Sequence, residues 1–386
     1  MNSALIRYHE VALKKGNRPY FVALLKRNLK SSVEGLGLKE IKTLHDRLFM
    51  VFNGEADRDE IRRRITCVFG VANFSFVERT PVDLDAMKSG ILDSLRGKEF
   101  SSFRIQTKRA DKSFPLDSPE VNREVGGAVK AFSNARVDLK NAELTIGIEI
   151  LSKDAFFCLD KIPGPGGLPV GASGRVISLI SGGIDSPVAA YRMMQRGCRL
   201  IFVHFHSSPY LDKTSQEKVK VLVKMLTRRQ FSSRLYMIPF GEIQRQIVTA
   251  VPRPLRVVLY RRMMVRVAEA IAAKEKALSL VTGESLAQVA SQTLQNLSVI
   301  ENAATLPVLR PLVGMDKQEI IDQARRIGTF ETSALPDQDC CQLFVPRHPD
   351  TKASLMEVEK AESRLDLPSL IQLGVENGET LDFKFP

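Results

Sequence analysis

Along the first 160 residues, short apolar runs alternate with amphipathic stretches whose polar and apolar positions change period several times. Residues 5–9 and 47–52 read as extended, and residues 18–30 carry apolar positions at helical spacing between them. A helix over 58–67, an extended run at 103–107, a helix over 120–131 and two β-rich runs at 143–150 and 155–159 follow. Proline and glycine then crowd together in Pro163-Gly164-Pro165-Gly166-Gly167-Leu168-Pro169-Val170-Gly171, which predicts the main boundary. Beyond it the rhythm becomes strand and helix in turn: strands at 176–180, 200–205, 234–238 and 278–281, with helices at 186–195, 215–227 and 255–273. The pattern predicts two small α+β modules, 1–55 and 56–162, a linker at 163–174, and an α/β domain over 175–386. That domain should hold a mainly parallel, doubly wound sheet with its ligand site at the carboxyl ends of the strands.

A chain of 386 residues suits two or three domains. Lysine and arginine number 56 against 44 acidic residues, a formal charge of +12, which points to a polyanionic partner. No run approaches the 18 or so apolar residues that a membrane span needs, and Met1-Asn2-Ser3-Ala4-Leu5-Ile6-Arg7 is not built like a secretory signal. A cytoplasmic protein without membrane contact is expected. Five cysteines, Cys67, Cys158, Cys198, Cys340 and Cys341, offer neither a disulfide framework nor a Cys-x-x-Cys pair, and the histidines form no HExxH.

Chemistry concentrates after the boundary. Ser181-Gly182-Gly183-Ile184-Asp185-Ser186 follows an apolar strand and opens a helix, the context of a phosphate cradle. There, glycines let backbone N–H groups approach an anion, and the helix end adds unpaired donors and a favourable dipole. Ser181 and Ser186 can add hydroxyls. Asp185, itself anionic, suits a magnesium ion that bridges phosphate oxygens. A ligand-free, capped glycine turn is the plain alternative, and the absence of GxxxxGK[ST] argues against a Walker-type site.

Downstream, His204 and Phe205 end the second strand, where a nucleotide contact or a histidine satisfied by its neighbours is expected. Arg261 and Arg262 lie on a helix as phosphate ligands or as a solvated basic face. Thr282-Gly283-Glu284-Ser285 and Gln288-Val289-Ala290-Ser291-Gln292-Thr293 crowd polar groups behind an apolar strand, as a nucleotide surface or as a turn and helix cap.

The SGGxDS string resembles the PP-loop of ATP pyrophosphatases, which adenylate a substrate oxygen and release pyrophosphate. Together with RRMMVR, TGESLAQVASQT, Arg310-Pro311-Leu312 and the linker at 166–171, it resembles the tRNA 4-thiouridine synthase (tRNA sulfurtransferase) family over nearly the whole chain. The resemblance implies a ferredoxin-like module, a THUMP RNA-binding domain and a PP-loop domain, in that order. It implies ATP contacts at Leu179, Ile180, His204, Phe205, Arg261, Gly283 and Gln292, and a sulfur-carrying cysteine in the segment of Cys340 and Cys341, with Cys340 placed first. Cys340 and Cys341 also sit in a loop-like, proline-rich stretch where a cysteine is expected to be mobile, exposed and reactive, with Arg347 and Lys352 nearby to favour thiolate; two small hydrophobes in a loop are the plain alternative.

The expected reaction is attack of a tRNA uridine (position eight) on ATP, giving an adenylated base that a persulfide or thiolate sulfur then displaces. Many family members continue into a rhodanese domain, which is not expected within the 386 residues of this chain. Sulfur is therefore expected from a cysteine desulfurase or another persulfide donor, and the remaining cysteines offer no clustered ligands for the iron–sulfur cluster of some short members. The family further implies a homodimer and a role in thiamin synthesis through a sulfur-carrier protein. For tRNA itself, Lys14, Lys15, Arg18, Lys26 and Arg27 in the first module and Lys108, Arg109, Lys112, Arg123 and Arg136 in the second are the candidate phosphate contacts, although any single one reads as well as solvated surface charge. The alternatives are a PP-loop ligase with a nitrogen nucleophile and a non-catalytic tRNA-binding protein.

Overall fold

Strands of the first unit form one continuous sheet, and those of the second another, in a computed structural model that describes residues 2–54, 56–336, 340, 343–344 and 349–386. The chain divides into units Met1–Gly166 and Gly167–Pro386.

In the first unit, β1 (Ser3–Arg7), α1 (Arg18–Ser32), β2 (Leu38–Leu44), β3 (Arg47–Phe52), α2 (Arg58–Ile65) and β4 (Asn73–Thr80) follow one another in a βαββαβ series. Its strands lie in the order β2-β3-β1-β4, the ferredoxin-like arrangement. The first module therefore runs past residue 55, where the sequence pattern ended it. α2 belongs to it, and β4 pairs antiparallel with β1, Phe74 opposite Ile6. α2 starts where Asp57 caps it by accepting from the N–H groups of Asp59 and Glu60. The sequence reading passed over β2, which has no buried residue, and β4, whose run Asn73-Phe74-Ser75-Phe76-Val77 is buried on both faces and so does not alternate.

The carboxyl half of β4 continues the same sheet, Glu78–Thr80 pairing with β8. Here α3 (Leu84–Leu95), β5 (Ser102–Arg109), α4 (Ser118–Ser133), β6 (Arg136–Val137), β7 (Leu144–Ile150) and β8 (Ala155–Cys158) complete the second module, and β9 (Ile162–Pro163) returns to pair with β4. α4 is fixed at its start by a capping box, Asp117 with Glu120, and at its end by Asn134 in the left-handed region. Val121, Val125 and Val129 recur every fourth residue on the face it buries against Phe103, Ile105 and Ile146.

The second unit holds β10 (Arg175–Leu179), α5 (Asp185–Gln195), β11 (Arg199–His206), α6 (Thr214–Gln230), β12 (Ser232–Pro239), α7 (Gly241–Ala250), α8 (Arg256–Glu275), β13 (Leu280–Val281), α9 (Leu294–Glu301), β14 (Val308–Leu309), α10 (Lys317–Ile327), α11 (Phe330–Ala334), α12 (Leu355–Glu362), α13 (Leu367–Glu376) and β15 (Glu379–Lys384). The sheet order is β14-β13-β10-β11-β12-β15; the first five strands are parallel and β15 closes one edge antiparallel to β12. α8 is buried nearly all round and forms the centre of the core with Phe205, Phe240 and Ile247. The carboxyl ends of β10, β11 and β13 lie side by side, and their loops share one cavity. Among the described residues no helix is long and apolar enough to cross a membrane.

Candidate active site

The loop after β10 is closed by its own hydroxyls. Ser186 Oγ accepts from the Ser181 N–H (2.9 Å) and lies 3.2 Å from the Ser181 carbonyl, to which it donates, and the Gly183 N–H reaches Ser181 Oγ at 3.3 Å. The Ser186 proton, expected for a phosphate, is thus spent on the loop itself. No side chain caps the amino end of α5 among the described residues, and its first residues, Asp185 and Ser186, line the cavity, where the helix dipole favours an anion. Gly283 passes so close that a Cβ there would stand 2.7 Å from the Ser186 nitrogen; any side chain would push the β13 loop off the phosphate loop.

The cavity holds about 490 Å³ and is lined by Leu179, Ile180, Ser181, Gly183, Asp185 and Ser186, by His204 and Phe205, by Arg261 and Met264, by Thr282 and Gly283, by residues 288–292, and by Cys340 and Pro349. Asp185 is held from two sides: Lys317 Nζ at 2.5 Å and Gln288 Nε2 at 2.8 Å. His204, 2% exposed, donates from Nδ1 to the Ile180 carbonyl at 2.9 Å, since a carbonyl can only accept. That bond ties the ends of β10 and β11 together at the cavity wall. Gln292 Oε1 is buried there and accepts no hydrogen bond among the described residues, a cost of about 1–3 kcal/mol that a donor on a bound molecule would relieve.

Arg261 and Arg262 part company. Arg261 faces the cavity and pairs with Glu284 at 2.7 Å. Glu284 is itself buried and also takes Arg310 at 2.8 Å and the Thr282 hydroxyl at 2.8 Å. Burial pushes the Glu284 carboxyl up, but the charges of Arg261 and Arg310 outweigh it and hold it below the usual range. Arg262, 1% exposed, turns into the core instead: it meets Glu362 at 2.8 Å and donates to the Val299 carbonyl, while Arg266 grips the same carboxylate. Its expected role as a phosphate ligand is therefore corrected to a core ion pair, because the next residue along a helix turns about 100° away.

Cys340 lines the cavity but is 4% exposed, so the exposed thiol expected of its loop is corrected to a buried one that packs with the core, its carbonyl accepting from Gln244 Nε2 at 2.8 Å. Cys341 lies outside the described residues, as does Arg347. Lys317 was missed by sequence reasoning, because it stands 132 residues from its partner Asp185 and belongs to no motif. Its local signal is only the capping box of Asp316 and Glu319, which starts α10 at that lysine. Among the described residues no group of three or more metal-binding side chains assembles. A lone carboxylate that already attracts a cation suits magnesium, which takes most of its ligands from phosphate and water.

In the first unit, Lys15, Arg27, Lys108, Lys112, Arg123 and Arg136 are exposed. Lys15, Arg18 and Lys26 line an open groove with His45 and Arg47. Lys14 leans over the Phe21 ring and pairs with Glu10 at 3.6 Å. Arg18 is paired with Asp46 and reaches Tyr8 Oη. Arg109 donates from Nη1 to the carbonyls of Phe114 (3.0 Å) and Leu116 (2.7 Å), which makes it the brace of its own loop.

Family models match in register with these modules: a ThiI ferredoxin-like domain over residues 3–75, a THUMP domain over 81–160, and the thiamine biosynthesis protein ThiI over 171–367. A probable tRNA sulfurtransferase of Thermus thermophilus is 48% identical over 98% of this chain and 93% of its own, and one of Moorella thermoacetica is 46% identical over 98% and 97%. A 4-thiouridine synthetase solved in complex with RNA and with bound ATP superposes with a TM-score of 0.89 at 32% identity, covering 99% of both chains. Likeness on that scale, through every module and in the same order, leaves neither the ligase nor the non-catalytic alternative standing: the chain belongs to the ThiI family, the tRNA sulfurtransferases.

Proposed function

We propose that the cavity of the second unit takes ATP, activates the 4-oxo group of the tRNA uridine at position eight as an adenylate, and delivers sulfur to it from Cys340. The observation that carries this reading is that the phosphate loop and Cys340 line one cavity. The RNA and ATP bound to the 32%-identical 4-thiouridine synthetase support the same two ligands here.

The amino end of α5 receives the triphosphate, and Arg261, balanced by Glu284, adds charge beside it. Gln292 Oε1 is free to accept from the base amino group. Asp185 would hold magnesium, which, when bound, neutralises phosphate charge and makes the α-phosphorus more electrophilic. Lys317, now on Asp185, is placed to take the charge of the departing pyrophosphate. The uridine O4 bonds to the α-phosphorus, the α–β bond breaks, and the N3 proton is lost. The terminal sulfur of a Cys340 persulfide, supplied by a persulfide donor such as a cysteine desulfurase, then bonds to C4 and AMP leaves. An external thiol attacks the Cys340 sulfur, the sulfur–sulfur bond breaks, thiouridine departs, and a second equivalent of that thiol reduces the mixed disulfide left on Cys340. The same persulfide would serve a thiamin sulfur-carrier protein, in keeping with the family model's description.

The test is incubation with unmodified tRNA, magnesium, ATP labelled in its β- and γ-phosphates, and a persulfide donor. Labelled pyrophosphate and the near-ultraviolet absorbance of thiouridine should both appear. Cys340→Ser should keep the first and lose the second. Thiouridine at the wild-type rate from that variant removes Cys340 from the reaction, and a wild-type protein that releases no pyrophosphate removes the adenylation step.

A further inference from the structure

Gln244 on α7 is 0% exposed, and neither end of its amide is idle. Nε2 donates to the Cys340 carbonyl at 2.8 Å, and Oε1 accepts from Ser207 Oγ at 2.5 Å. Ser207 follows directly on β11, near whose end His204 and Phe205 line the nucleotide cavity. The series Ser207, Gln244, Cys340 thus joins that lining to the backbone of the cysteine through buried hydrogen bonds. Packing alone does not call for an amide at this position. Its neighbours on the buried face of α7, Ile243 and Ile247, are apolar members of the same core, and a glutamine withdrawn from water is costly unless both ends are bonded. A second buried side chain does the same a few residues earlier: Lys218, 6% exposed, reaches the Leu335 carbonyl at 2.5 Å. Side chains from α6 and α7 therefore grip two backbone carbonyls of the segment that bears the cysteine.

We infer that Gln244 is a positioning residue for the sulfur step: by holding the Cys340 carbonyl it sets where the sulfur lies in the cavity, and it does not line the nucleotide cavity. The inference rests on the reading of Cys340 as the sulfur-bearing residue. It predicts a split between the two half-reactions that a general loss of folding does not produce.

Gln244→Met keeps the length of the side chain and removes both hydrogen bonds. With tRNA, magnesium, ATP and a persulfide donor, its pyrophosphate release and its KM for ATP should stay within about twofold of wild type, while thiouridine formation falls by roughly ten- to a hundredfold, the scale of a misplaced reacting group. Should Gln244→Met not fold, Gln244→Glu applies the same test, because an ionised carboxylate still accepts from Ser207 but cannot donate to Cys340. Thiouridine at the wild-type rate, or equal losses in both half-reactions, overturns the inference. Cys340→Ser, run alongside, keeps the two failures apart. If it still thiolates, the reading of Cys340 has failed; if it does not and the Gln244 variants thiolate normally, only the positioning role has.

Discussion

The two units present charge in opposite ways. In the second, parallel strands send the loops after β10, β11 and β13 to one edge, so a few side chains converge on a cavity of about 490 Å³. In the first, where most strand pairs are antiparallel, the cations are spread over strands, helices and loops, and several are already matched: Arg7 and Arg47 share Glu149, and Arg18 takes Asp46. A small triphosphate needs convergence, because its charge sits within a few ångströms. An RNA backbone needs the reverse, many modest contacts along a surface. The difference teaches where function is fragile: one substitution should abolish what the second unit does, and none should abolish what the first does.

Asp185→Ala is the severest test of that contrast. With the Asp185 carboxylate at the head of α5 gone, pyrophosphate release should fall by about a hundredfold or more while tRNA affinity and thermal unfolding stay near wild type. Normal release would show that the converging site does not depend on this residue, and the comparison would lose its sharper half.

Next in size are two neighbours on α8. Arg261→Met should weaken ATP turnover about tenfold, read as a change in kcat/KM, and leave stability nearly unchanged because Arg310 still satisfies Glu284. Arg262→Met should do the opposite. Breaking a buried ion pair costs about 3–5 kcal/mol, reduced here because Arg266 keeps hold of Glu362, and the KM for ATP should not move. The acid limb of stability carries the sign. Burial pushes the Glu362 carboxyl up, but Arg262 and Arg266 together hold it below the ordinary glutamate value of 4.5. Its stabilising contribution is present above about 4.5 and is lost as pH falls below that. The Arg262→Met protein should therefore show a flatter loss of stability on acidification, measured by denaturant unfolding across that range.

This pair also marks what could be read from the chain. The phosphate loop was legible because Ser181 to Ser186 are contiguous and strand and helix patterns flank them. Arg261 and Arg262 were not separable, because α8 is buried nearly all round and no apolar stripe tells one face from the next. Lys317 meets Asp185 only after the sheet is assembled, and Gln244 looks like any polar residue on an amphipathic helix until Cys340 is set against it. The sheet of the first unit was under-read for a related reason. β4 serves two modules, pairing with β1 through its first half and with β8 through its last three residues, and a strand buried on both faces does not alternate.

The smallest effects belong to the spread cations, and they separate exposed charge from matched charge. Lys15→Gln, Arg27→Gln and Lys108→Gln should each weaken tRNA binding only a few-fold, and each should lower the slope of log affinity against log salt by roughly 0.7–0.9, the release of one counterion. Arg18→Gln should change that slope less, because Asp46 already neutralises its guanidinium; the pair holds the Asp46 carboxyl below its usual range, chiefly through the hydrogen bond from Arg18. Binding isotherms at four or five salt concentrations decide it. If Arg18→Gln lowers the slope as much as Lys15→Gln does, the RNA must draw Arg18 away from Asp46, and the ion pairs of the first unit are reserves for RNA binding instead of fixed structure.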